Sequence, residues 1–347
     1  MVTTTPTVER FMSNTGVTIY RIPMHVFPGF VGYSYVLLGA GVPTLVDVGS
    51  GFGNCSEELQ RGLAAIHSDY GEDFRMNDIA RVIISHGHID HFGGLPDLLS
   101  AIGTATVGVH PLDRRVLTNY EERRTIATND LTIFLERAGV RDERMAQLID
   151  MYGISKQHFQ SVDVHFMFDD GAVIDGLEFH HVPGHCSGQV AIRIGDVLLS
   201  ADHVLSRTSP HVAAESITNY TGLGHYRDAL RKIRQLQDIR LVMGGHEDVM
   251  DDLHGRIDAI QARIDEKLYM MLDLIRSAGE PLSIVEISKR RYPDKHGFDV
   301  LLALQEAGAF VEYLYDRGYL EIANLAEVES AYNPVVQYQV LDGAVLD

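Results

Sequence analysis

The run His-Gly-His-Ile-Asp-His at residues 86–91 directly follows the apolar segment Arg81–Ser85. Four potential metal ligands thus fall within six residues, immediately after a pattern typical of a buried strand. His86 and His88 stand two positions apart, so in an extended segment both imidazoles project to the same side and can share one cation. This arrangement predicts a metal site at the carboxyl end of a sheet.

Further ligand candidates lie at the ends of later strand-like segments. Asp90 and His91 belong to the same run, but they turn away from the first two histidines and suit a second cation. His185, Asp202 and His246 each stand where an apolar run gives way to a turn. Functional residues concentrate at such strand ends. The sequence therefore predicts one site that gathers these residues.

With these residues in this order, the chain resembles members of the metallo-β-lactamase-fold hydrolase superfamily. The resemblance covers roughly residues 17–250 and begins with Asp47 in the segment Leu45–Ser50. It implies that the first metal is held by His86, His88 and His185, the second by Asp90, His91 and His246, and that Asp202 bridges both. In the flavin-linked di-iron branch of the family a glutamate replaces the second histidine of the run, where this chain has His88. Hydrolysis is therefore expected rather than redox chemistry.

The resemblance also implies the fold class, which is α+β. We expect a four-layer αββα sandwich in residues 1–250, with the metals at one edge between the sheets. A polar, helical stretch at 111–162 is interpreted as an insertion that caps the site; a surface insertion that only packs on the core is the alternative. Residues 251–347 are expected to form a connecting helix and a small helical domain that resembles a winged helix.

Two divalent cations are the cofactors implied by this resemblance. Zinc is the expected metal, with iron and manganese as alternatives, because imidazole, carboxylate and water suit all three. Asp90 is assigned to catalysis because it would ligate a metal and orient the nucleophile. His203 is assigned to catalysis because it follows the bridging Asp202. Asp47 is expected to form hydrogen bonds behind the ligands rather than to bind metal.

Composition restricts the partners of this protein. A net charge of −19 disfavours a surface that neutralises phosphates or binds anionic lipid. From residue 266 to 347 acidic residues outnumber basic ones by fourteen to seven, so no nucleic-acid-reading helix is predicted. We expect a small-molecule substrate, no nucleic acid or membrane partner, a cytoplasmic location, and packing or homodimer formation as the role of the C-terminal region. Cys55 and Cys186 are interpreted as buried thiols.

Three functions remain open at this stage. The first is hydrolysis of an acyl bond by a hydroxide that bridges the metals, with an ester or thioester as substrate. A lactone is less expected, because quorum-signal lactonases of the superfamily carry tyrosine where this chain has Leu205. The second is a phosphodiesterase or nuclease that uses the same metals, which the acidity disfavours. The third is a non-catalytic relative, which the complete ligand set disfavours.

Overall fold

The computed structural model of this protein describes residues 7–154 and 159–346. Residues 155–158 of the predicted insertion lie outside this range. Among the described residues, no helix combines the length and the apolar character that crossing a membrane requires.

Strands and helices alternate along the described chain. The strands are β1 (Glu9–Met12), β2 (Thr18–Phe27), β3 (Phe30–Leu38), β4 (Thr44–Val46), β5 (Arg81–Ile83), β6 (Thr106–Val109), β7 (Phe166–Met167), β8 (Val173–Ile174), β9 (Leu177–His181), β10 (Val190–Ile194), β11 (Val197–Ala201), β12 (Leu241–Gly244), β13 (Leu320–Ile322) and β14 (Tyr338–Val340). The helices are α1 (Cys55–Ser68), α2 (Ile89–Phe92), α3 (Leu95–Ile102), α4 (Arg114–Thr118), α5 (Tyr120–Ala138), α6 (Asp142–Ile154), α7 (Leu223–Ile233), α8 (Leu253–Ala278), α9 (Ile284–Arg291), α10 (Phe298–Asp316) and α11 (Leu325–Ser330).

The contacts divide the chain into two compact units. Among the described residues, the sandwich unit comprises 7–121, 159–210 and 229–256, and the helical unit comprises 122–154, 211–228 and 257–346. The central part of the insertion thus shares a compact unit with the C-terminal helices. Whether it caps the metal site stays a prediction.

Two sheets form the sandwich unit. One has the order β1-β2-β3-β4-β5-β6-β7 and the other the order β12-β11-β10-β9-β8. Side chains alternate across a strand, so Ile19 of β2 belongs to the core between the sheets while its neighbour Tyr20 points to the opposite core. The first sheet supplies Ile83 to the inter-sheet core, and the second supplies Phe179 and Ile192. The predicted pair of packed sheets is confirmed.

Helices α1 and α3 cover the outer face of the first sheet. Leu63 and Ile66 of α1 and Leu98 of α3 are buried in the same core as Ile22 of β2. A side chain at Gly62 would bring its Cβ within 2.2 Å of the Ile22 side chain. The glycine therefore allows α1 to lie directly on the strand.

Parallel strand pairs determine where the site lies. β4, β5 and β6 run parallel to one another in the first sheet, and β11 runs parallel to β12 in the second. Parallel neighbours end at the same edge, so the loops that follow them are brought together. The backbone N–H of Val190, at the start of β10, donates to the carbonyl oxygen of Ser85 after β5 at 2.9 Å. This bond joins the two sheets at that edge.

The helical unit has its own core. Phe134 of α5 is buried, and a Cβ at Gly308 of α10 would lie 2.7 Å from its ring. The backbone N–H of Val336 donates to the carbonyl oxygen of Arg137 at 2.9 Å. The strands β13 and β14, which follow α8 to α10, form an antiparallel pair. The predicted helical C-terminal region is confirmed, and its likeness to a winged helix stays a prediction.

Replacing Leu63 by alanine should lower the free energy of unfolding by about 2–5 kcal/mol, because it leaves a cavity in a close-packed core. Leu112→Ala is the matched control: its side chain is 41% exposed, so the change should be within about 0.5 kcal/mol. Chemical denaturation followed by circular dichroism measures both. Equal effects would contradict the assignment of Leu63 to the core.

Candidate metal centre

The predicted ligands come from loops at one edge of the sandwich unit. His86 and His88 follow β5, and α2 is a single helical turn that carries Asp90 and His91. The remaining three follow strands of the second sheet. His185 lies in the loop between β9 and β10, Asp202 directly follows β11, and His246 lies two residues after β12.

Side-chain ligand atoms converge there in three groups, each with its atoms within 4.8 Å of one another. The first triad is His86, His88 and His185, the second triad is Asp90, His91 and His246, and the third group is His86, His91 and Asp202. These are the residues that the sequence assigned to the first metal, the second metal and the bridge. The structure brings all seven together, while their ligation of metal stays a prediction.

Asp202 lies between the two triads. Its Oδ2 is 3.5 Å from Nε2 of His91, 3.5 Å from Nε2 of His185 and 3.4 Å from Nε2 of His246. His185 belongs to the first triad, whereas His91 and His246 belong to the second. A single carboxylate therefore faces both triads, which is the position that a bridging ligand requires.

Hydrogen bonds behind the rings determine which ring nitrogen faces the site. The buried Asp47 accepts from Ser85 N at 2.7 Å, and its Oδ2 accepts from Ser85 Oγ at 2.7 Å and from His91 Nδ1 at 2.9 Å. The Ser85 hydroxyl donates its proton to Asp47, so its oxygen can only accept from His86. Nδ1 of His86 therefore donates to Ser85 Oγ at 3.1 Å. His246 Nδ1 donates to the carbonyl oxygen of Val31 at 2.8 Å. In the neutral rings this leaves Nε2 with a lone pair directed at the site. Asp47 thus occupies the predicted supporting position.

The electrostatic field of the site favours cations. Burial alone would lower the pKa of His246, but the carboxylates of Asp202 and Asp90 raise it to about 10. Burial raises the pKa of Asp90, but His91 and His246 outweigh it and lower the pKa to about 2. The Asp90 carboxylate is therefore ionised at neutral pH. Protons and metal ions compete for the same imidazole nitrogens in such a field.

Four buried atoms in this cluster make no hydrogen bond within the described residues: Nε2 of His86, Nε2 of His91, Nε2 of His246 and Oδ1 of Asp202. Nε2 of His91 and Nε2 of His246 face the Oδ2 atom of Asp202 at 3.5 and 3.4 Å. When the rings are neutral these atoms carry lone pairs, and imidazole nitrogens with carboxylates are ligands for zinc and similar divalent metals. The residues present fit a two-metal centre.

Three residues in and beside the site have a left-handed backbone, with positive φ, which is unfavourable for residues other than glycine. Asp47 has φ of 59°, Ala201, which precedes Asp202, has 47°, and Glu247, which follows His246, has 64°. Residues other than glycine that have a left-handed backbone occur most often at functional sites, where the surrounding structure holds them in this conformation. Glu247 is held by its side chain, since Oε2 accepts from Arg207 N at 2.6 Å.

Glycines allow the loops to approach closely. A Cβ at Gly93 would lie 2.2 Å from the carbonyl oxygen of Ser50, and one at Gly94 would lie 2.4 Å from that of Val48. The N–H of Val48 donates to the carbonyl oxygen of His91 at 2.8 Å. The loop after β4 is thereby fastened to α2.

His203 is completely buried and belongs to none of the three ligand groups. Burial lowers the pKa of its imidazole to about 3. When the Gln189 amide is oriented to match its neighbours, its oxygen accepts from the backbone N–H groups of Asp202 at 3.2 Å and His203 at 2.6 Å. Gln189 thus holds the backbone of Asp202 and His203, and the assignment of His203 to catalysis stays a prediction.

Sequence analysis did not identify Gln189 or Phe30 as part of the site. Phe30 begins β3 directly after the turn from β2; it is 45% exposed, and its ring centroid is 4.3 Å from that of His246. An aromatic residue at a hairpin turn was the available signal for Phe30, whereas nothing in the sequence marks Gln189.

The comparisons with known proteins agree with this geometry. A family model described as the metallo-beta-lactamase superfamily matches residues 27–246. Among solved structures, a metallo-beta-lactamase family protein from Thermus thermophilus is 22% identical, with a TM-score of 0.73 over 93% of this chain and 98% of that one. A beta-lactamase domain protein from Burkholderia ambifaria is 20% identical, with a TM-score of 0.71 over 98% of this chain and 96% of that one. The comparison with curated proteins gave no match.

The two solved structures share the fold of this chain, which confirms the predicted fold class, and the family model covers all seven predicted ligands. The chain therefore belongs to the metallo-beta-lactamase superfamily.

Proposed function

We propose that this protein is a dinuclear-metal hydrolase that cleaves an acyl bond, preferably an ester or thioester, in a small or medium-sized organic molecule. The observation that carries the proposal is the complete set of two triads with Asp202 between them. Most members of this superfamily are metal-dependent hydrolases. A complete ligand set supports a catalytic member rather than a non-catalytic relative.

The first triad would hold one divalent cation, the second triad would hold another, and Asp202 would contact both. We propose zinc for both positions, with iron and manganese as alternatives, because the donors are imidazole and carboxylate groups. When bound, such a pair of ions lowers the pKa of a shared water molecule and polarises the oxygen of the scissile group.

The chain's own residues orient the reactants. Asp90 is ionised and belongs to the second triad, with Oδ2 3.3 Å from Nε2 of His246. We propose that its carboxylate accepts a hydrogen bond from the attacking water and so directs a lone pair at the substrate. His203 would support Asp202 from behind. The hydrogen bonds of Asp47 would hold the ring of His91 in place.

Charge and apolar surface favour an organic acyl substrate over a polyanion. The net charge of −19 opposes the recruitment of nucleic acid. The exposed ring of Phe30 beside His246 offers an apolar wall at the site, and such walls suit organic substrates. A phosphodiesterase or nuclease with the same metals is the alternative.

Protein purified without added chelator should contain close to two equivalents of metal per chain, since two triads and a bridge are present. Elemental analysis after desalting measures this. His254→Ala is the control, because His254 is a half-buried histidine outside the ligand groups whose Nε2 donates to the carbonyl oxygen of Leu236 at 3.0 Å, and it should retain both equivalents. A folded preparation that takes up no more than one equivalent in metal excess would refute the two-metal centre.

Asp202→Asn should reduce kcat/KM by about two orders of magnitude or more and weaken metal binding, because the carboxylate that faces both triads loses its charge. The fold should persist, as judged by circular dichroism. His203→Ala should have a milder effect. Wild-type activity in Asp202→Asn would remove the bridging assignment, and equal damage in both variants would give His203 a direct catalytic role.

The reaction class can be tested with a substrate panel assayed on metal-replete enzyme, with Asp202→Asn as the inactive control. The panel comprises p-nitrophenyl esters, acyl thioesters, lactones and bis(p-nitrophenyl) phosphate. We expect an ester or a thioester to give the highest kcat/KM. If the phosphodiester exceeds every acyl substrate by tenfold, about 1.4 kcal/mol of transition-state preference, the phosphodiesterase alternative replaces the acyl hydrolase.

A further inference from the structure

Asp113 connects two loops of the sandwich unit through one buried carboxylate. It ends a short 3₁₀ turn, Pro111–Asp113, that follows β6, and it is 2% exposed. Its Oδ2 accepts from the backbone N–H of Gly87 at 2.8 Å, and its Oδ1 accepts from the backbone N–H of Gly188 at 3.0 Å. The Cys186 thiol donates to Oδ2 at 3.3 Å. Hydrogen bonds to a charged acceptor are stronger than those between neutral groups.

Both loops carry ligands of the first triad. Gly87 lies between His86 and His88, and Cys186 directly follows His185. One loop leaves the first sheet and the other belongs to the second sheet. The carboxylate therefore joins the backbone segments that carry all three imidazoles.

The space beside Asp113 is too small for a side chain at Gly188 and is tight at Gly87. A Cβ at Gly188 would lie 2.6 Å from the Asp113 carboxyl carbon, and a Cβ at Gly87 would lie 3.1 Å from it. Neither glycine has the left-handed backbone that favours glycine for its conformation. The lack of a side chain at Gly87 and Gly188 therefore allows the Asp113 carboxylate to come close to their N–H groups.

We propose that Asp113 is a positioning residue for the first metal: it fastens the His86–His88 segment to the His185 loop and so preorganises the first triad. This inference rests on the two-metal centre of the proposed function but on no particular substrate. Supporting groups behind metal ligands typically change metal affinity by about 10–100-fold when they are lost. Asp113 would not touch substrate.

The experiment isolates the first metal. In a His246→Ala background, which removes a ligand of the second triad, zinc affinity is measured by competition with a chromophoric chelator. Adding Asp113→Asn should weaken zinc binding by about 10–100-fold, because the amide cannot accept at both of its polar atoms. Thermal unfolding of each variant is recorded without added metal.

Asp196→Asn is the matched control. Asp196 is also a buried carboxylate that joins distant segments, accepting from Asn14 N at 2.8 Å and from Arg240 Nε at 2.6 Å. In the same background it should leave zinc affinity unchanged even if it lowers the unfolding temperature. Equal zinc affinities for the Asp113→Asn and Asp196→Asn variants would overturn the proposal.

Gly188→Ala tests the contact between Asp113 and the Gly188 N–H by changing the donor residue. It replaces Asp113→Asn as the test of the proposal if that variant does not fold. Its added methyl group displaces the carboxylate, so zinc affinity should fall as well, and unchanged affinity would overturn the proposal. Failure of the His246→Ala protein to bind zinc would overturn it too. The readout is metal affinity, so a wild-type enzyme that binds two metals but hydrolyses no acyl substrate would disprove the proposed function and leave this inference standing.

Discussion

The burial of ionised carboxylates together with imidazoles at one edge of the sandwich is the constraint on which the rest of the site depends. Charged groups in a low-dielectric interior are costly unless opposite charges and hydrogen bonds compensate them. Here Asp47 is compensated by Ser85 and His91, whereas Asp202 retains a buried oxygen without a hydrogen bond within the described chain. The carboxylate oxygens of Asp47 all have hydrogen-bond partners, whereas Oδ1 of Asp202 and Nε2 of His86, His91 and His246 make no hydrogen bond within the described residues. That contrast separates the scaffold from the atoms that suit a cation.

The sequence identified the seven clustered residues because their signals are local. The run at residues 86–91 lies within one loop, and His185, Asp202 and His246 each follow an apolar segment, so strand order alone brings them together. Asp113 has no such signal: its partners Gly188 and Cys186 are more than seventy residues away. A carboxylate that accepts backbone N–H groups across two loops leaves no periodicity or spacing to detect. Contacts of this kind are visible only after the chain has folded.

The domain organisation was harder to predict for a related reason. Helical periodicity identified the insertion and the C-terminal helices separately, and both are present. Their shared core, in which Phe134 of α5 packs against Gly308 of α10, joins residues more than 170 positions apart. Apolar spacing shows which face of a helix is buried but does not identify the helix that covers it. The compact unit that they form therefore became evident only from the contacts.

The histidines of the first triad come from both sheets, and this affects the stability of the fold. His86 and His88 leave β5 of one sheet, while His185 belongs to the β9–β10 loop of the other. An ion held by all three is a cross-link between the halves of the sandwich, comparable to a reversible covalent bridge. Because such an ion would bind the folded chain and not the separated sheets, mass action would couple the persistence of the fold to the free concentration of metal in its surroundings. A metal centre at this edge would then also report, through the lifetime of the protein, how much free metal surrounds it.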